Sequence, residues 1–168
     1  HIVLGDINGS IRQWVNLFLN DKEYPEDMFV THEQARKIVD HDTVVVVVDT
    51  NRPSMTECSE ILNQTRTIVV LDHHRQSSEI IDNAVLSYVE PYASSACEMV
   101  AEVLQYIGDD GIKIKPAEAD AMYAGIVIDT NNFMNQAGVR TFEAAAFLRR
   151  NGADVVRVRK LFRDRLED

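Results

Sequence analysis

TVVVVVDT at residues 43–50 and TIVVLDHHR at residues 67–75 decide the fold. Each is an unbroken apolar run that ends in acidic or imidazole side chains. Five consecutive valines are β-branched, which favours an extended backbone over a helical one. With no polar residue alternating among them, residues 43–48 predict a strand buried on both faces. Residues 67–71 predict a second strand, ending at Asp72-His73-His74. Pro53 and Ser54 open the segment between the two, and residues 55–64 can be helical. Strand, helix and strand at this spacing predict a βαβ crossover with parallel pairing and right-handed connection.

Helical signals continue on both sides. Residues 10–19 place Ile11, Trp14, Val15 and Phe18 on one face. Thr31 and Gln34 predict a capping box before a helix over 32–39, and Ser95 and Glu98 another before a helix ending near residue 107. Pro116 suits the first turn of a helix running into 117–126. Thr141 is a candidate cap for 142–150, with Asn151 and Gly152 closing that helix. Asp154 is the candidate start of a final helix over 155–166. The alternation predicts an α/β fold, a mostly parallel β-sheet flanked by helices on both faces. Ligands of such sheets bind at the carboxyl ends of the strands.

A chain of 168 residues is long enough for one hydrophobic core. There are 17 basic and 27 acidic residues, a net charge of −10, which disfavours a binder of long nucleic acid because such affinity comes mainly from Lys and Arg. A small anionic substrate remains compatible if metal ions reverse the charge locally. Cys58 and Cys97 make no CxxC pair and no zinc spacing, and a reducing cytoplasm is the natural reading. No apolar run approaches the ~18 residues of a membrane span. No secretory leader is expected, since Asp6 and Asn8 interrupt the start.

Three apolar runs finish in aspartate: Asp49 after the valines, Asp72 before His73 and His74, and Asp129 after AGIVI. A carboxylate beside a hydrophobic strand is costly unless paired or metal-bound. If the segments are neighbours, Asp49, His73 and Asp129 converge at one rim. Carboxylates with one imidazole suit Mn²⁺, Mg²⁺ or Fe²⁺, and two such ions can clamp a phosphoryl group. Taken singly, Asp49 and Asp129 read equally well as caps or turn residues.

VVVVVDT, VVLDHHR and GIVIDT, in that order, resemble motifs two, three and four of the DHH phosphoesterase superfamily. DTNRPS, LDHHRQSSEII, YVEPYASSACEMVAEVLQY and GVRTFEAAAFLRRNGADVVRVRKLF look like the GdpP (YybT) type, a bacterial cyclic di-AMP phosphodiesterase. The likeness runs from about Thr31 to Phe162. It implies that Asp49 bridges two Mn²⁺ ions and that His73 and Asp129 bind the second. It implies that His74 faces the substrate phosphate, and that Asp72 supports the histidines by fixing a ring tautomer. The implied reaction is hydrolysis of one phosphodiester bond of cyclic di-AMP to give pApA. Arg75 and Arg140 are candidates to meet substrate phosphate, a surface or structural role being equally open.

The superfamily's motif one, roughly H-x-x-x-D-x-D, has no counterpart here. His1, Asp6 and Asn8 mimic it, but the spacing is one residue too long and Asn8 replaces a carboxylate. The expectation is that residues 1–168 are a partial DHH domain, lacking the first βα unit and the C-terminal DHH-associated domain. One ion or none is then expected in this chain, with low activity alone. The likeness also implies a membrane-anchored bacterial parent with this portion in the cytoplasm, and a homo-oligomer, formed through the sheet edge that a missing strand exposes. Alternatives are a nanoRNase or oligonucleotide phosphoesterase of the same superfamily, and a non-catalytic scaffold or regulatory domain.

The remaining polar and aromatic residues read as structural. Ser94 and Ser95 precede a helix, where a plain N-cap is favoured over an anion site. His32 and His41 read as surface residues, and Trp14 and Cys97 as core.

Overall fold

The computed structural model of the chain describes residues 1–107 and 113–163. The chain divides into two compact units, His1–Glu90 and Pro91–Asp168.

The first unit runs β1 (Ile2–Val3), α1 (Gly9–Leu19), β2 (Phe29–Val30), α2 (His32–Ile38), β3 (Val44–Val48), two short 3-10 turns (Pro53–Met55 and Ser59–Asn63), β4 (Thr67–Asp72) and β5 (Leu86–Val89). All pairing is parallel, as the crossover spacing predicts. β1 pairs with β2, and β3, β4 and β5 form a sheet in that order. The register from Val44↔Thr67 to Val48↔Leu71 brings both motif-bearing strands to their carboxyl ends side by side. Val47, Ile68 and Val70 pack with Leu62 and Ile81 beneath one face of this sheet. The full burial expected for the valine run is not found. Val44, Val46 and Val48 are 59%, 54% and 50% exposed, because the core packs against only the alternate face.

The connection between β3 and β4 is not one helix over 55–64. Pro53 starts a single 3-10 turn, Cys58 adopts a non-helical backbone, and a second turn follows. Thr56 N–H donates to the Pro53 carbonyl at 3.1 Å and Gln64 N–H to that of Ile61 at 3.1 Å, bonds of the tight kind used in short pieces. This breaks the segment so that Ile61 and Leu62 can both turn into the core.

The second unit is helical: α3 (Ala96–Ile107), α4 (Pro116–Asp129), α5 (Val139–Arg150) and α6 (Val155–Arg163). α3, α4 and α5 pack on one another, and α6 packs on α4. Ala101, Ala119, Ala144 and Ala153 surround the buried Ile126 and Leu148. Burying each of those larger side chains contributes roughly 1.5–3 kcal/mol, and the small neighbours let the helices close on them. Gly125 is part of that approach, since a Cβ there would lie 2.4 Å from Cys97 Sγ.

Helix ends follow local chemistry. Asn8 caps α1, its Oδ1 accepting from the N–H groups of Ser10 and Ile11, and Thr31 with Gln34 forms the expected capping box. The Ser95 cap is one-sided. Ser95 Oγ accepts Glu98 N–H at 3.0 Å, while the Glu98 carboxylate turns to Ser94 and Thr141. α5 starts at Val139 rather than 142, so Thr141 lies inside its first turn and accepts from Gly138 N–H at 3.1 Å. Asn151 ends that helix and Gly152 supplies the left-handed residue at φ 102°, as its position after the helix predicts. Of the final helix expected over 155–166, residues 164–166 lie outside the described residues. No helix among the described residues is long and apolar enough to cross a membrane.

Candidate metal centre

The carboxyl ends of β3 and β4 build the site. Asp49 N–H continues the ladder to the Leu71 carbonyl at 3.0 Å, but its backbone is left-handed, at φ 65°. That conformation costs a non-glycine residue energy, though Asp tolerates it better than most. The turn leaves the Asp49 carboxylate 3.2 Å from His73 Nε2.

Asp72 follows Ile68 and Val70 on the buried face of β4 and is itself fully buried. A buried carboxylate needs compensating donors, and this one has them. Asp72 Oδ1 accepts the His74 backbone N–H at 3.2 Å and lies 2.7 Å from His74 Nδ1. Asp72 Oδ2 accepts from Asn51 Nδ2 at 2.5 Å. His73 and His74 stand with ring centroids 4.3 Å apart. With Nδ1 tied to Asp72, His74 has Nε2 left to offer.

Asp49, His73 and His74 each present a ligand atom, all within 4.8 Å of one another. One carboxylate and two imidazoles fit a first-row divalent ion, and the buried Asp72 behind His74 is the kind of partner that orients a metal-binding ring. Thiol chemistry is disfavoured. Burial raises the Cys58 pKa, and the Glu60 carboxylate beside the thiol raises it further, the opposite of a reactive cysteine.

The structure thus brings together Asp49, Asp72, His73 and His74, with Arg75 exposed beside them. Asp129 and Arg140 belong to the second unit. The helix expected from Pro116 over 117–126 forms and continues to Asp129. AGIVI is the last part of α4, and Asp129 is its exposed final residue. The favourable Pro116 start and the alanines behind it carry the helix through the motif. Arg140 Nε and Nη2 donate to Glu102 Oε2 at 3.0 and 2.7 Å, which favours its structural reading. Asp6 is exposed, Asn8 is a helix cap, and His1 Nδ1 lies 2.7 Å from the Asp27 carbonyl. None of the three is in the cluster.

One residue escaped the sequence reading, and a second was read only as half of a capping box. Asn51 is buried against Asp72, and Glu98 is buried with Ser94 and Thr141 donating to it. The signal for Asn51 was present: a buried Asp72 demands a donor, and an amide stands two residues after the strand-ending Asp49.

Parallel strands that deliver aspartate and histidine to one sheet edge define an α/β protein with a candidate metal site. The DHH family, N-terminal domain, matches residues 6–126, and the chain belongs to this metal-dependent phosphoesterase family. Among characterised relatives, it is 43% identical over 148 residues to the cyclic-di-AMP phosphodiesterase GdpP of Bacillus subtilis (strain 168), covering 87% of this chain and 22% of that protein. It is 39% identical over 159 residues to the cyclic-di-AMP phosphodiesterase PdeA of Listeria monocytogenes, covering 93% of this chain and 24% of that protein. The chain therefore spans under a quarter of the length of these relatives. An exopolyphosphatase-related protein from Bacteroides fragilis shares the fold with a TM-score of 0.67 at 21% identity, over 86% of this chain and 43% of that one.

Proposed function

We propose that this chain carries the metal-binding core of a phosphodiesterase that hydrolyses cyclic di-AMP to pApA with two Mn²⁺ ions. The observation that carries the reading is the Asp49–His73–His74 donor cluster in a member of the DHH family; the cyclic-di-AMP phosphodiesterase relatives support the substrate. In this reading Asp49 and His73 would hold the divalent ions, with Asp129 as a further candidate ligand. Bound divalent ions of this type activate water and stabilise the charge of an in-line displacement at phosphorus. His74, its Nδ1 held by Asp72, presents Nε2 at the same cluster, to an ion when the ring is neutral and to a substrate phosphate oxygen when it is protonated. Arg75, exposed and next to it in sequence, is the stronger candidate to meet an anion, and Arg140 the weaker because Glu102 already engages it. Hydrolysis adds water across one P–O3′ bond, the oxygen joining phosphorus and a proton passing to the ribose 3′ oxygen.

The test is metal uptake followed by single-turnover hydrolysis, with the protein in excess over cyclic di-AMP and Mn²⁺ present. The reading requires Mn²⁺ binding that Asp49→Ala and His73→Ala each weaken, and pApA as the product. Absence of Mn²⁺ uptake by the wild-type chain, or hydrolysis indifferent to Asp49→Ala, would overturn it.

A further inference from the structure

We propose that Asn51 is a positioning residue for His74: its side-chain amide locks the Asp72 carboxylate, and through it the tautomer and orientation of the imidazole. The inference rests on the metal-site reading above and adds to it a residue outside the ligand set.

The geometry separates two functions of Asn51. Its backbone carbonyl accepts the N–H of buried Ile81 at 3.0 Å, which pins the chain after the DHH motif and would survive any side-chain change except one that moves the backbone. Its side chain does something else. Nδ2 donates to Asp72 Oδ2 at 2.5 Å and reaches the His74 carbonyl at 3.3 Å. The amide therefore touches both the carboxylate that holds the ring and the main chain that carries it. Asp72 is left with one oxygen for Asn51 and one for His74.

The amide has a single usable orientation. Reversing it would set its oxygen against the Asp72 carboxylate and the His74 carbonyl, with acceptors facing acceptors. In the orientation adopted, Asn51 Oδ1 is buried and has no hydrogen-bond partner among the described residues, and the residue is only 3% exposed. A side chain serving packing alone would be apolar here, because a buried unsatisfied acceptor is destabilising. The chain keeps that cost in order to hold two donors on Asp72 and His74, which is the pattern of strain retained at a functional site. Removing the donor frees the carboxylate to rotate. His74 then loses the fixed acceptor that keeps its proton on Nδ1 and its lone pair on Nε2.

The experiment uses the 168-residue chain, its Asn51→Leu and Asp72→Ala variants and the double variant, at one fixed pH where the imidazoles are neutral. Long-range ¹H–¹⁵N correlation spectra report which nitrogen of His74 carries the proton, with no metal present. Mn²⁺ affinity is read separately from the free-ion electron paramagnetic resonance signal. The wild type should show His74 protonated on Nδ1, and Asn51→Leu a mixture of tautomers. Asn51→Leu should weaken Mn²⁺ binding about tenfold or more, the scale typical for loss of an outer partner. Adding Asn51→Leu to Asp72→Ala should cause much less than the additive loss, since the amide acts mainly through that carboxylate, its contact to the His74 carbonyl being the longer one. Nε2 protonation of His74 in the wild type, an unchanged tautomer in Asn51→Leu, or losses that add in the double variant would each overturn the proposal. The wild-type spectrum needs no variant to fold. Should the wild-type chain bind no Mn²⁺ while the tautomer responds to Asn51, the metal reading fails and the positioning role stands.

Discussion

Replacing Asp49 with glycine should leave the metal-free protein about as stable while abolishing its response to metal. Asp49 sits at φ 65°, a region where an L-residue loses roughly 1–2 kcal/mol relative to its ordinary conformations and glycine loses almost nothing. Aspartate tolerates this region better than most residues, so the lower end, about 1 kcal/mol, is the relevant relief. Against it stands the Asp49–His73 contact at 3.2 Å, in which the Asp49 side chain is 60% exposed. An exposed pair of this kind contributes only ~0.2–1 kcal/mol. Asp49→Gly keeps the backbone N–H that donates to Leu71, although glycine also lowers stability through the greater freedom of its unfolded chain. The net change should be small, within about 1 kcal/mol of zero, a shift of no more than roughly 2–4 °C in Tm for a chain of this size. Metal works in the other direction: an ion at 100 times its Kd stabilises a native site by about 2.7 kcal/mol, and the wild type should gain that in excess Mn²⁺. Differential scanning calorimetry with and without Mn²⁺ reads both effects. Asp49→Asn is the control, keeping the side chain's tolerance of positive φ but losing the charge. It should match the wild type without metal and gain little with it. A metal-free Tm several degrees below wild type for Asp49→Gly would show that the left-handed residue is not strained. An undiminished Mn²⁺ shift would show that its carboxylate is not a ligand.

Other consequences are more local. Val47→Ala, which removes buried atoms next to Ile68 and Val70, should cost about 2 kcal/mol in denaturant unfolding, whereas Val46→Thr on the exposed face of the same strand should stay within ~0.5 kcal/mol. Arg157→Ala should destabilise the chain by about 2 kcal/mol, because it strips the guanidinium 2.5 Å from the buried Asp120 carboxylate and leaves that charge with the Asp154 N–H, 2.7 Å away, but no cation; an unchanged denaturation midpoint would contradict this. The Asp154 carboxylate accepts the N–H groups of Arg157 and Val156, and the first of these bonds above all holds its pKa below the ordinary 3.8. A group depressed on folding contributes stability above its unfolded value and loses it as pH falls through the folded one. The gap in Tm between wild type and Asp154→Ala should therefore be constant near neutrality and narrow in acid below about pH 4; a gap that widened on acidification would refute the cap.

The sequence made the sheet and the site legible to different depths, for physical reasons that particular residues show. Two β-branched runs at βαβ spacing leave few topologies open, so parallel pairing of β3 with β4 and the common edge bearing Asp49 and Asp72 could be read directly. The burial of that strand could not. A valine run states what β3 can bury, and the chain packs only Val47 and its neighbours against a core. The proline thirteen residues upstream of Asp129 made α4 legible, but a short apolar run such as AGIVI has no period of its own and left open that the helix carries on to Asp129. The metal cluster was legible as residue types but not as a set. The resemblance to the family gave His74 a role facing phosphate, and folding also places it with Asp49 and His73 as a third donor. The choice between those roles turns on Nδ1. So long as buried Asp72 occupies that nitrogen, Nε2 is the only one His74 can direct outward, whether to an ion or to a phosphate oxygen. In the neutral ring Nε2 can only accept, which suits a cation as partner; a phosphate oxygen would require the ring to be protonated. The orientation of one buried carboxylate thus sets which chemistry the adjacent histidine can perform.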